Sequence, residues 1–376
     1  MFKRIVIITV ILFCLINITG TIYAMNIQDV AEELDLNSLI YTLQEYTDDE
    51  LDLDSMTQDL LIGKGTDYGK IGNYILNKLF SEIRVGIKSG IAILIVVILM
   101  AIVKSLELEK DNSLSKVTSL VGFLVIVGIT LKSYMLIISV FTDTINILTS
   151  IMEVVSPFML AVLIATGEVV TSGIIGPVLL FITSLVGVLV TYIILPLLTL
   201  SIVLKIISNM SETVKVDKLS SLFSSSAMWI IAVVFTLFLG VMELEGNVTT
   251  SVDEVTVKTA QTAVSNLVPV VGKFVSDSLE VVMGASELIG KTVGVIGIIV
   301  IIVASLIPII KLVIFSLLFF VLSALAELLN TDVKIVNLCN MMSKQYKTML
   351  GIMVGVMITF VIGIGIVINL MGRVGA

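Results

Sequence analysis

The feature that most constrains this chain is its succession of apolar stretches, most of them at or beyond the ~20 residues that carry an α-helix across a bilayer. They run Gly86–Val103, Val117–Val140, Val154–Thr166, Ile174–Leu204, Ala227–Leu244, Thr292–Ala326 and Met349–Met371. Lipid offers no partner for backbone N–H and C=O groups, so such stretches must satisfy their own hydrogen bonds as helices. Only 14% of the 376 residues are charged and mean hydropathy is +1.14, against roughly 25% charged in a soluble domain. The expected fold class is an all-α polytopic membrane protein.

Composition also removes chemistries. There is no histidine, which excludes Ser-His-Asp, Cys-His and His-Glu-x-x-His sites and the commonest metal ligand. Of the two cysteines, Cys14 falls in an expected signal peptide, leaving Cys339 without an internal partner. No Gly-x4-Gly-Lys-Ser/Thr or Gly-x-Gly-x-x-Gly loop is present, so nucleotide binding has no support. Nucleic-acid binding lacks a concentrated basic patch. No catalytic residue, cofactor or metal is expected, and the chain is not read as an enzyme.

Residues 1–24 read as a signal peptide: Lys3 and Arg4, an apolar Ile5–Ile16 core, and a cleavage end at Thr21-Ile22-Tyr23-Ala24. An uncleaved anchor is the alternative, and either one exports residues 25–85. That segment carries thirteen Asp and Glu against four Lys and Arg. Asp48-Asp49-Glu50 with Asp52 and Asp54 lacks the glycine and terminal glutamate of a calcium loop, so a solvated acidic face is the simpler reading. Val30, Leu34, Leu39 and Leu43, then Ile71, Ile75, Leu79 and Ile83, recur at helical spacing. Two or three short amphipathic helices are expected there.

Lysine placement orients the spans. Lys104, Lys110 and Lys116, then Lys205, Lys215 and Lys218, then Lys334, Lys344 and Lys347 mark three basic loops, while 245–291 is acidic. Segments 104–116, 205–226 and 327–348 are thus expected in the cytosol, and 25–85 and 245–291 outside. Even numbers of crossings between basic loops require the thirteen-residue Val154–Thr166 piece not to cross. The expectation is about six spans plus two re-entrant or interfacial segments.

An internal offset of 112 pairs Pro157 with Pro269, Glu168-Val169-Val170 with Glu280-Val281-Val282, and Pro196 with Pro308. Two parallel repeats follow, 117–226 and 227–376, after a first span and loop at 86–116; chance agreement between apolar sequences is the alternative. Pro157 and Pro269 would open equivalent external segments. Pro196 and Pro308 would interrupt equivalent long helices. Glu168 and Glu280 either line a polar path or cap the helix that follows each. Lys132 sits where it can snorkel, whereas Lys311, deep in a 35-residue apolar stretch, is the third candidate to line a path. Gly284, Gly290, Gly294 and Gly297 form a ladder suited to close helix packing.

The stretch Asn266-Leu267-Val268-Pro269-Val270-Val271-Gly272-Lys273-Phe274-Val275-Ser276-Asp277-Ser278-Leu279-Glu280, continuing through Val282-Met283-Gly284-Ala285-Ser286 to Gly294-Val295-Ile296-Gly297, resembles the stage III sporulation protein AE family of endospore-forming bacteria. The resemblance implies a mother-cell protein of the outer forespore membrane and a component of a multi-protein mother cell to forespore channel. Its implied partners are membrane lipid, a cytosolic ATPase, small membrane proteins and exported ring-forming proteins. It carries no catalytic residues across. An ion-coupled small-molecule transporter with duplicated halves remains the alternative function.

Overall fold

The computed structural model describes residues 31–32, 34–47, 52–62, 64, 68–106, 112–210, 216–241 and 271–371, and every regular element among them is helical. Two short helices, α1 (Leu36–Gln44) and α2 (Leu53–Leu61), precede a long α3 (Tyr68–Leu106) and a longer α4 (Asn112–Ala165). There follow α5 (Val169–Leu189), a π-helical turn (Val190–Ile194), α6 (Leu195–Met210), α7 (Asp217–Val241), α8 (Val271–Leu328) and α9 (Val333–Leu370). Among the described residues, five segments are long and apolar enough to cross a membrane: Leu120–Ala165, Val169–Met210, Asp217–Val241, Met283–Leu328 and Val333–Leu370. The signal peptide and Pro269 lie outside the described residues.

The amphipathic spacing near the start builds α1, which buries Leu36, Leu39, Ile40 and Leu43. Asp52 caps α2 by accepting from Ser55 N at 3.1 Å, and Gln44 Oε1 accepts from Leu53 N at 3.0 Å, fixing the two helices to one another. The second set of spaced residues, Ile71 to Ile83, is not a separate short helix. It forms the first half of α3, which continues without a break into the expected first span, Gly86–Val103.

The largest departure from expectation is α4. Val154–Thr166 is not a separate re-entrant piece but the end of one 54-residue helix and its terminal turn, with Pro157 inside it. The polar run between the two apolar stretches stays helical with its hydroxyls satisfied inside the helix: Thr142, Thr144 and Thr149 donate to the carbonyls of Ile138, Val140 and Ile145 at 2.7–2.8 Å. A run that reads as a connector thus hides its polarity within the helix. The helix ends only where Gly167 adopts φ 92°, letting Glu168 N reach Leu163 O at 3.0 Å.

Helix α8 is equally continuous. It runs through Gly284 and Pro308, so Glu280 lies within a helix and no turn follows it. The prolines at 196 and 308 therefore have different surroundings. Pro196 is the second residue after the π turn, whose wider winding accommodates the ring against the carbonyl of Tyr192, four residues earlier. At Pro308 the chain keeps its α-helical winding.

Around α8 pack α9, α4, α3 and α2. Hydrophobic burial does not favour one apolar helix over lipid as a neighbour, so close backbone approach must supply the attraction. The glycines of α8 provide it. A Cβ built at Gly290 would overlap Met371 of the α9 end and Val162 of α4; at Gly294 it would lie 2.5 Å from Ile368 Cδ1 and 3.1 Å from Met159 Cε; at Gly297, 3.3 Å from Val155 Cγ1 and 3.4 Å from Ile364 Cδ1. The falling numbers on both neighbours show α4 and α9 each antiparallel to α8. Gly284, by contrast, faces open space. On the far side α7 runs parallel to α9, with Met228, Ile231 and Phe238 over Gly351, Gly355 and Gly363.

Replacing Gly294 by Leu should lower stability by about 1–3 kcal/mol through overpacking, whereas Gly284→Leu should be neutral or gain up to about 1 kcal/mol in helix propensity. Thermal unfolding of the two variants in detergent checks this, with a lower midpoint for the first only.

Candidate functional site

The three charged residues singled out in the sequence do not form one site. Glu168 is fully buried in the turn between α4 and α5, where Thr171 Oγ1 donates to its Oε2 at 2.9 Å and Ser172 N donates to its backbone carbonyl at 2.9 Å. Glu280 is placed as a backbone position in the third turn of α8, and its side chain lies outside the described set. Both belong to the end of the bundle where Val162, Gly290 and Met371 meet. Lys311 stands elsewhere, 21 residues beyond Gly290 on α8, or about 32 Å at 1.5 Å per residue.

Lys311 has an ion-pair partner that spacing did not reveal. Its Nζ lies 3.4 Å from Glu82 Oε1 on α3, with side-chain exposures of 29% and 15%. A charge at a helix centre costs about 2.5–3.5 kcal/mol on insertion scales, and a carboxylate at this distance offsets much of that cost. The pair locks the register of α3 on α8. Below it the two helices continue side by side through an apolar groove lined by Ile83, Ile87 and Ile91 and by Ile314, Leu318 and Leu322.

A second polar feature lies between α6, α7 and α9, and none of its residues were candidates from sequence. Ser201, Lys205 and Asn209 recur every four residues on α6. Asp217, Ser220, Ser221, Ser224 and Ser225 make the matching stripe on α7, and Asn337, Asn340, Lys344, Gln345 and Thr348 that on α9. The stripes face one another across a cleft of about 520 Å³. At its floor Ser201 and Ser220 each donate to the other's backbone carbonyl, at 2.8 and 2.7 Å, and Gln345 Nε2 donates to Leu198 O at 3.2 Å. Lys205 pairs with Asp217 at 2.5 Å at the mouth of the α6–α7 hairpin. The signal available was period-four polarity inside otherwise apolar helices.

Five long apolar helices with paired or hydrogen-bonded polar groups among them define a polytopic helical membrane protein. The family described as Stage III sporulation protein AE matches residues 51–371, and the chain belongs to that family. It is 33% identical over 202 residues to Stage III sporulation protein AE of Bacillus subtilis (strain 168), covering 54% of this chain and 51% of that protein. The aligned region thus spans about half the length of the curated relative. No solved structure matches.

Neutralising Glu82 with Gln should strand the Lys311 ammonium and cost about 1–3 kcal/mol. The exchanged pair Glu82→Lys with Lys311→Glu should recover most of the loss. Unfolding midpoints of the single and double variants in detergent measure the coupling.

Proposed function

We propose that this chain serves sporulation as a membrane platform of the channel between mother cell and forespore, seated in the mother-cell membrane around the forespore. Membership of the sporulation family and the five membrane-length helices support the role and the location. Its partners in this reading are a cytosolic ATPase, engaged on the lysine-rich side, and exported ring-forming proteins on the other. The observation that favours a platform over a conduit is the filled interior along α8. Ile289, Val293, Ile296 and Val300 are wholly buried there, and the glycines admit neighbouring side chains to contact distance. The ion-coupled transporter is the weaker reading, because Glu168 is buried in a turn with Thr171 on its carboxylate while Lys311 stands far from it, paired with Glu82.

The test is a strain lacking the gene and complemented with wild type or with Glu168→Gln and Glu280→Gln together. The platform reading expects late forespore gene expression to be lost in the deletion and restored by both forms at equal membrane level. Lost expression with a normal level of the double variant would instead make the carboxylates part of a path. Normal expression in the deletion would remove the chain from the channel altogether.

A further inference from the structure

The cleft between α6, α7 and α9 is independent of the proposed platform role and has its own chemistry. Its walls are donor-rich: lysines, serine hydroxyls and side-chain amides outnumber its one carboxylate, and Asp217 is already engaged by Lys205. Lys344 makes no ion pair among the described residues, so the cleft keeps one uncompensated positive charge. Asn209 Nδ2 is buried with no hydrogen-bond partner, a state costly enough to point to a missing acceptor. A multi-oxygen anion answers this arrangement better than a cation or an apolar ligand would. Phosphate esters in particular accept several such bonds at once.

The outer faces of the same helices say which phosphate ester. Leu200 on α6 and Val233 and Leu237 on α7 are exposed, continuing from the polar stripes toward the apolar middle of the bundle. Trp229, the single tryptophan, is 70% exposed one turn beyond Ser225 on α7, and exposed indoles favour the headgroup level of a bilayer. We propose that the cleft binds the phosphate headgroup of an anionic phospholipid, with Lys344 and Asn209 as its donors and the acyl chains lying on the exposed apolar residues of α6 and α7. Basic pockets between membrane helices take such headgroups for the same electrostatic reason. The lipid would bridge the α6–α7 hairpin to α9.

The test titrates purified full-length protein in neutral detergent with dioctanoyl phosphatidylglycerol, dioctanoyl phosphatidylcholine, glycerol 3-phosphate and inorganic phosphate, reading the unfolding midpoint. Phosphatidylglycerol should raise the midpoint saturably, with little effect of phosphatidylcholine. Lys344→Gln, at an exposed position that leaves the fold intact, should weaken the response about tenfold, the worth of one charge-assisted contact. Lys132→Gln, an exposed lysine on α4, should leave it unchanged. Equal responses to both lipids, or an unaltered response in Lys344→Gln, would overturn the site. Saturation by glycerol 3-phosphate or inorganic phosphate at the same concentration as the lipid would overturn its lipid source.

Discussion

Everything in this bundle depends on how closely α4 and α9 can approach α8. Between apolar helices in lipid, dispersion at short range is the available attraction, and it decays within an ångström of added separation. Gly290, Gly294 and Gly297 remove side-chain bulk on successive turns of α8 where Val162, Met159 and Val155 arrive from one side and Met371, Ile368 and Ile364 from the other. Helices α4 and α9 are thereby held antiparallel to α8 and in one register from Gly290 to Gly297. The remaining helices attach to that unit: α5 through Gly176 against Leu160 and Gly187 against Thr149, and α7 through the glycines of α9.

Polar groups within the long helices are handled in three ways. Isolated hydroxyls bond to the carbonyl a turn earlier, as Thr183 does to Leu179 and Ser305 to Ile301. Groups that meet across helices bond to each other's backbone: Ser201 with Ser220, and Ser323 Oγ to Val336 O at 3.1 Å. Charges pair, as Lys311 does with Glu82. In the cleft between α6, α7 and α9 many donors are paired in these same ways, and among the described residues Asn209 Nδ2 and the Lys344 ammonium are the ones left over.

The class of the protein was legible because uninterrupted apolar length has one physical solution in a bilayer, and the family because the segment around Pro269 to Gly297 is distinctive. Lys311 was legible as unusual, since its cost in an apolar run is large, but its partner was not: Glu82 is 229 positions away, in a segment read as wholly external. The thirteen residues from Val154 misled because the length rule assumes that a polar run ends a helix, and Thr142, Thr144 and Thr149 show how it does not. Glu168 and Glu280 share a tripeptide but not a local structure, since Gly167 with its positive φ makes a turn at the first and nothing breaks α8 at the second. The cleft was missed although its polar stripes are periodic. Stripes on three separate helices become a site only when packing turns them toward one another.

The central claim is the antiparallel register of α4 on α8, and a disulfide tests it most directly. With Cys14 and Cys339 replaced by Ser, Val155→Cys and Gly297→Cys would place two thiols across the 3.3 Å contact between a Cβ at 297 and Val155 Cγ1, within the reach of a disulfide. A protease site introduced between residues 245 and 265 reports the link, because α4 and α8 lie on opposite sides of it. After mild oxidation in native membranes and cleavage, the two fragments should run as one band that separates on reduction, while the Val155→Cys, Gly284→Cys pair should separate without it. Fragments of the first pair that part in the absence of reductant would contradict the packing on which the whole account rests.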